Sequence, residues 1–116
     1  MMLRGEIRLV DFDPVLSYEA AKTSPAVIVS NDGANTRAAR LGPGIVTVVP
    51  VTSNVDHIYP FQVLLQSHET GLPISSKAQA EQVRSVSVPR VGGQIGTVPP
   101  QLLLDVDEAL RLHLAL

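Results

Sequence analysis

The sequence predicts a mostly β domain that ends in one amphipathic helix. Short apolar runs alternate with clusters of glycine, proline and asparagine along most of the 116 residues, which is typical of strands joined by turns. The last segment differs, because apolar residues over 100–114 recur at helical spacing. Hydrophobic residues make up 45% of the chain and cysteine is absent, so we expect a single domain over 1–116 whose core forms without disulfides.

The first third of the chain predicts two strands separated by a long loop. Residues 5–12 alternate between apolar and polar side chains, and Asp13-Pro14 ends this strand because proline cannot donate to a ladder. Residues 13–24 are polar and are expected to form a loop. Residues 26–30 are a continuous apolar run, which predicts a strand that is buried on both faces.

The middle of the chain predicts a third strand between two irregular segments. Residues 31–40 are polar and contain alanine, so we expect a loop with a short helical turn, followed by a turn at 41–44. Residues 45–51 are rich in branched side chains and predict a strand, in which Pro50 implies a bulge or a sheet edge. Residues 54–60 are expected to form a loop.

The last half predicts two more strands and the helix. Residues 61–65 and 82–88 are expected to be strands, and Gly71-Leu72-Pro73 a turn. Pro99-Pro100 opens the helical segment, since the N–H that proline lacks would be unpaired at a helix start. The helix is predicted over 100–114.

Charge and composition narrow the classes of partner. The formal net charge of −2 is a weak signature for a nucleic-acid binder. However, Asp105, Asp107 and Glu108 cluster near the C-terminus beside Arg111, and the rest of the chain balances its acids and bases, so a local basic groove remains possible. Aromatic residues at 3% argue against a broad base-stacking platform. Without a signal-peptide core or an apolar run of membrane-spanning length, we expect a cytoplasmic protein with no membrane partner.

Several short blocks follow one another in a specific order and spacing. They are Arg4-Gly5-Glu6-Ile7, Val10-Asp11-Phe12-Asp13-Pro14, Pro25-Ala26-Val27, Ser30-Asn31-Asp32, Val49-Pro50-Val51-Thr52-Ser53, Tyr59-Pro60-Phe61-Gln62-Val63, Gly71-Leu72, Ala80-Glu81-Gln82-Val83-Arg84-Ser85 and Asp107-Glu108-Ala109-Leu110. Taken together, the chain resembles the MazF/PemK family of toxin endoribonucleases over nearly its whole length.

The resemblance implies a fold, an activity and partners. The fold is an SH3-like β-barrel with a C-terminal helix, acting as a homodimer. The activity is metal-independent, sequence-specific cleavage of single-stranded RNA by a ribose 2′-hydroxyl, which leaves a 2′,3′-cyclic phosphate. The partner is a cognate MazE-like antitoxin whose disordered tail folds across the RNA groove and competes with RNA. No cofactor is implied, and the three histidines show no metal-ligand spacing.

Thr52 and Ser53 lie where the proline-containing strand is expected to end. A hydroxyl at a strand end can hold a phosphate oxygen without burying a charge, although such residues often satisfy only the backbone of a turn. The resemblance implies that Thr52 is catalytic and hydrogen-bonds the scissile phosphate. Ser53 is a candidate RNA contact beside it.

Glu19 and Ser24 stand at the other catalytic positions that the resemblance implies. Glu19 lies in the first loop, where it is either the acceptor of the 2′-hydroxyl proton or a solvated acid. The family carries an arginine where this chain has Ser24, and serine supplies no positive charge and only a weakly acidic hydroxyl. Leu16 and Tyr18 also depart from the family's loop. We therefore expect weak or absent cleavage, which Ser24→Arg would restore.

Four further residues are expected to contact RNA. Lys22, close to Ser24, is either a point charge near the site or a solvated lysine, and it cannot copy the planar fork of arginine. Lys77 is a candidate phosphate contact. Gln82 and Arg84 alternate along the predicted late strand and would give it a polar face toward the groove.

Two other functions remain open from the sequence. A MazF-like variant without activity could bind an antitoxin or RNA without cleaving it. A CcdB-like inhibitor of DNA gyrase would keep the barrel and use the C-terminal helix, for which Leu114-Ala115-Leu116 is the candidate contact. His57 is expected at the surface, and Phe61 in the core.

Overall fold

A computed structural model describes residues 2–12, 23–41 and 44–116 of the chain. Within these residues, seven strands and three helices form. The strands are β1 (Glu6–Asp11), β2 (Thr23–Ile28), β3 (Ile45–Thr52), β4 (Gln62–Leu65), β5 (Ser76–Gln79), β6 (Arg84–Ser87) and β7 (Val91–Thr97), and the helices are α1 (Asp32–Arg40), α2 (Ser67–Thr70) and α3 (Pro100–Leu114). Two 3-10 turns, Ala80–Gln82 and Val88–Arg90, flank β6.

All described strand pairs are antiparallel, in the order β4-β5-β3-β2-β1-β7, and β6 also pairs with β3. The long strand β3 changes partner along one edge: residues 45–48 pair with β6, and Val51 and Thr52 pair with β5. Pro50 falls between these two segments on that edge and pairs with Ala26 of β2 on the other, so the change of partner occurs where a bulge or a sheet edge was predicted. The mostly β, barrel-like fold is confirmed, although the outer strands β4 and β7 do not pair with each other among the described residues.

Two apolar clusters cover the two faces of this sheet. The larger contains Val27, Val49 and Val51 and receives Val106 and Ala109 from α3. The smaller lies on the other face, with Val10, Ala26 and Val48 among its strand residues and Ala38 from α1. The alternation of side chains along β2 and β3 therefore decides which face each residue joins.

Helix α3 is tied to the chain's start by Arg4. Its guanidinium donates from Nε to the Val29 carbonyl at 2.8 Å and forms an ion pair with Asp107 of α3. The helix runs from Pro100 to Leu114, as predicted, with proline in its first turn. No helix within the described residues is long and apolar enough to span a membrane.

Three of the predicted segments need correction. Thr23 and Ser24 belong to β2 rather than to the preceding loop, because they pair with Asp11 and Val10 of β1. Residues 32–40 form a helix instead of a loop with one turn, since the Asn31 side chain accepts from the Ala34 N–H at 2.8 Å and caps it. Gln82 lies in a 3-10 turn, so the strand predicted over 82–88 begins only at Arg84.

Candidate functional site

The sheet register brings three of the predicted site residues into one row. Thr52 at the end of β3 is directly opposite Lys77 of β5. On the other side, the pairing of β2 with β3 ends at Ala26 and Pro50, and Ser24 and Thr52 each lie two residues beyond that last pair. Residues opposite one another in an antiparallel pair project to the same face. Thr52 and Lys77 therefore lie side by side, about 4.8 Å apart from strand to strand, and Ser24 lies on the adjacent strand β2, beyond its last pair with β3.

The two hydroxyls of this row lie at the border of the smaller core. Ser24 shares its face with the buried Ala26, and Thr52 shares its face with the buried Val48, yet both hydroxyl residues are only half-buried. Thr52 Oγ1 accepts a hydrogen bond from the Asn54 N–H at 3.3 Å, which turns the chain away at the strand end. The Thr52 hydroxyl proton can therefore be donated to a ligand.

Lys77 is held firmly beside Thr52. Lys77 is only 8% exposed, and its Nζ donates to the His57 carbonyl at 2.6 Å. The same ammonium lies 5.9 Å from the centre of the Tyr59 ring, within range of a cation–π interaction. A buried lysine carries a desolvation cost, which these two partners offset. The row thus ends in a positive charge of fixed position.

Arg84 adds a second cation on the same face. It is opposite Val48 of β3, four residues before Thr52, so both side chains project to one side of the sheet. Its guanidinium carbon lies 5.0 Å from the centre of the Phe12 ring, and the residue is exposed. This face therefore carries both Lys77 and Arg84, although the chain's net charge is negative.

Other predicted site residues are not brought into the row. Ser53 follows Thr52 and faces the opposite side, where it lines an apolar cavity of about 290 Å³ with Val51 and Pro25. Gln82 is exposed in its 3-10 turn and does not alternate with Arg84 on one strand, so the predicted polar strand face is wrong for this residue. Glu19 and Lys22 lie outside the described residues.

An aromatic cluster that the sequence interpretation missed borders the row. The rings of His57 and Tyr59 have centres 4.2 Å apart, and the rings of Tyr59 and Phe61 are stacked at 5.3 Å with an angle of 2° between their planes. We call these three residues the aromatic ladder. Phe61, which was expected in the core, is half-buried and stacks on the exposed Tyr59. The spacing of two residues between successive rings was visible in the sequence.

The chemistry of the row suits an anion better than a metal ion. Two hydroxyls and an ammonium can hold phosphate oxygens, and none of the three supplies the carboxylate or imidazole that metal ions prefer. Within the described ranges, no group of three or more histidine, aspartate or glutamate side chains is close enough to hold a metal ion.

Comparison with known proteins agrees with this fold over its whole length. Residues 3–114 match the family described as PemK-like, MazF-like toxin of type II toxin-antitoxin system. The chain is 56% identical to Endoribonuclease MazF9 of Mycobacterium tuberculosis (strain ATCC 25618 / H37Rv) over 116 residues, which cover 100% of this chain and 98% of that relative. It is 27% identical to Endoribonuclease EndoA of Bacillus subtilis (strain 168), over 97% of this chain and 94% of EndoA.

Among solved structures, MazE-MazF from Deinococcus radiodurans superposes with a TM-score of 0.77 at 26% identity, covering 99% of this chain and 96% of that one. The match to the family model and the similarity to these relatives each extend over nearly the whole chain. The chain therefore belongs to the family of PemK-like, MazF-like toxins of type II toxin–antitoxin systems.

Proposed function

We propose that this chain is an endoribonuclease toxin that cleaves single-stranded RNA without a metal ion. The observation that carries the class of activity is the 56% identity with Endoribonuclease MazF9, which extends over the whole chain. Similarity of fold alone would be weaker evidence for this activity, because one fold can host unrelated activities. The row of Ser24, Thr52 and Lys77 supplies the place where a scissile phosphate fits.

In the proposed reaction the ribose 2′-oxygen attacks the adjacent phosphorus while the bond to the 5′-oxygen of the next nucleotide breaks. The products are a 2′,3′-cyclic phosphate and a 5′-hydroxyl. A base must take the 2′-hydroxyl proton and an acid must protonate the leaving oxygen. Glu19 is the proposed base, although it lies outside the described residues.

Thr52 and Lys77 are proposed to hold the phosphate during this step. Thr52 donates its hydroxyl proton to a non-bridging oxygen, since its own oxygen already accepts from Asn54. The positive charge of Lys77 lies on the neighbouring strand, opposite Thr52, and attracts the same phosphate. Preorganised donors of this kind stabilise the charge that develops on phosphorus oxygens in the transition state.

Ser24 is proposed to limit the rate. Its position in the row is that of a residue in direct contact with the phosphate, but its hydroxyl is a poor acid for the leaving oxygen. Loss of a positioned acid or base costs about 10²- to 10⁴-fold in rate. We therefore propose that this chain cleaves RNA more slowly than a chain with arginine at position 24.

The proposal also includes an antitoxin as partner, a homodimeric state and a cytoplasmic location. The MazE-MazF structure at 26% identity supports a MazE-like antitoxin as partner. An extended acidic segment of that antitoxin would compete with RNA for Lys77 and Arg84. We propose that the chain acts as a homodimer in the cytoplasm.

Incubation of the purified chain with an end-labelled library of single-stranded RNA in excess chelator tests the activity. We expect short fragments with 2′,3′-cyclic phosphate ends, detected by mass spectrometry. Thr52→Val keeps the shape and removes the hydroxyl, and it should slow cleavage about 10- to 150-fold, as for a hydrogen bond to a charged group. Cleavage that requires a divalent metal ion, or that is unaffected by Thr52→Val, would contradict the proposal.

Ser24 itself favours a second candidate function. A chain without the arginine could keep the fold and the antitoxin surface while acting as a binding protein that does not cleave. In that case it would bind an antitoxin peptide tightly and leave the RNA library intact under every condition tested. Robust cleavage by the unaltered chain would exclude this second function.

A further inference from the structure

We propose that the aromatic ladder of His57, Tyr59 and Phe61 is a stacking platform for a nucleobase of single-stranded RNA. This inference deepens the proposed function and rests on it. The chain has only two tyrosines and two phenylalanines, and one of each is in this ladder. Tyr59 is 46% exposed beside the exposed His57, which leaves surface free to accept a base. Base–aromatic stacking is tolerant of sequence because every base has a π-face.

The ladder is joined directly to the phosphate row. Lys77 donates to the His57 carbonyl at 2.6 Å and lies 5.9 Å from the Tyr59 ring centre, while its own strand position is opposite Thr52. One residue thus borders both the proposed phosphate position and the rings. A nucleotide whose phosphate contacts Thr52 and Lys77 has its own or a neighbouring base within reach of the ladder.

The ladder is also preorganised by side chains beneath it. The Tyr59 N–H donates to Gln62 Oε1 at 3.1 Å, and the Gln62 N–H donates to the Tyr59 carbonyl at 2.9 Å. Gln62 is only 8% exposed, and its Nε2 donates to Glu81 Oε2 at 2.8 Å, which fixes its orientation. These bonds fix the backbone that carries the Tyr59 ring, so less freedom is lost when a ligand stacks on that ring.

The chemistry favours RNA over a peptide at this place. A fixed cation next to exposed aromatic rings is the combination that single-strand binding proteins use, with the cation for the backbone and the rings for the bases. An acidic peptide would use Lys77 but would gain less from stacked rings. We therefore assign the ladder to a base, and peptide binding there becomes an outcome of the test.

The test measures binding separately from cleavage. The probe is a short, fluorescently labelled, random-sequence 2′-O-methyl RNA, which cannot be cleaved because its 2′-oxygens are blocked, and the readout is fluorescence anisotropy. Tyr59→Ala should weaken binding about 5- to 150-fold, as expected for one stacked base. Tyr59→Phe keeps the ring, and Ile58→Ala alters the neighbouring exposed side chain outside the ladder. Both controls should stay within about twofold of the unaltered chain.

Two further results distinguish stacking from other roles. Stacking releases no counterions, so Tyr59→Ala should leave the slope of log K against log salt unchanged. If Tyr59→Ala does not fold, the variant Tyr18→Phe is used instead, because Tyr59 is then the one tyrosine in the chain. The fluorescence of Tyr59, corrected for absorption by RNA, should be quenched when the probe binds.

Unchanged binding by a folded Tyr59→Ala, or unquenched Tyr59 fluorescence, would overturn the inference. Loss of affinity for an acidic peptide with RNA affinity intact would reassign the ladder to a protein partner. Failure of the unaltered chain to bind the probe at all would contradict both the ladder's proposed role and RNA binding in the groove. Binding without any cleavage of ordinary RNA would contradict only the proposed activity.

Discussion

The phosphate row and the aromatic ladder meet at Lys77 but are built in different ways. Ser24, Thr52 and Lys77 take their places from strand register, so backbone hydrogen bonds between strands position them whatever side chains they carry. The ladder lies in the segment between β3 and β4, and its conformation depends on side-chain bonds from Gln62 and Lys77. Changes at Ser24 and Thr52 should therefore alter chemistry with little effect on stability, and loss of the bonds beneath the ladder should lower stability.

Ser24→Arg is the sharpest test of the row and should have the largest effect. The new guanidinium would be beside Thr52 and could stabilise the transition-state charge and protonate the leaving oxygen, raising the cleavage rate about 10²- to 10⁴-fold. The free energy of unfolding should change by no more than about 0.5 kcal/mol, since β2 keeps its pairing with β1. Rates come from single-turnover cleavage without metal, and stability from urea denaturation.

Ser24→Gln serves as the matched control, because it adds length and hydrogen-bonding capacity without charge. It should give little of the gain. If Ser24→Arg cleaves no faster than the unaltered chain, the proposed role of position 24 is wrong. If Ser24→Arg unfolds the protein, strand register is not enough to position the residues of the row, and their side chains matter as well.

Gln62→Ala tests the ladder and should have the next largest effect. The substitution leaves the Tyr59 N–H and the Glu81 carboxylate without the partner that each has now. An unsatisfied buried polar group costs about 1–3 kcal/mol, which should appear as a loss of unfolding free energy in urea.

Gln82→Ala is the control for this change. It removes the same side chain from an exposed 3-10 turn, and should change the unfolding free energy by less than about 0.5 kcal/mol. Equal losses in the two variants would mean that Gln62 does not support the ladder.

The same contrast explains how far the sequence predicted the structure. β1, β3 and α3 were predicted nearly to their ends because apolar periodicity or branched side chains alone define them. Ser24 was placed in a loop because Thr23 and Ser24 are polar, whereas pairing with β1, a distant partner, makes them strand.

Strands β5 and β7 were missed for related reasons. β5 reads Ser-Lys-Ala-Gln and is strand because β3 and β4 pair with its two edges. β7 contains three glycines, which argue against a strand locally. At Gly96, however, an added Cβ would lie 2.6 Å from the Thr70 carbonyl oxygen, so close packing with another segment requires glycine there.

For the site, the sequence predicted Thr52 and Arg84 through the family resemblance and Lys77 as a candidate phosphate contact, but it did not predict their arrangement. The opposition of Thr52 and Lys77 depends on the β3–β5 register, which joins residues 25 positions apart. The ladder was not predicted because its rings are brought together only when Gln62 and Glu81, 19 residues apart, hold the segment in place. Local pattern therefore predicts elements better than it predicts the contacts that make a site.

The smallest expected effect separates Lys77 from Arg84. Each cation that contacts a phosphate of single-stranded RNA contributes about 0.7 to the slope of log K against log salt. Lys77→Met and Arg84→Gln should therefore each reduce that slope by about 0.7 when measured with uncleavable RNA over a salt series. Only Lys77→Met also removes a bond to the ladder, so only it should additionally reduce Tyr59 quenching by RNA. An unchanged slope in Lys77→Met would mean that this buried ammonium supports the ladder without contacting phosphate. Equal effects of the two variants on quenching would mean that the ladder and the row are not joined through Lys77.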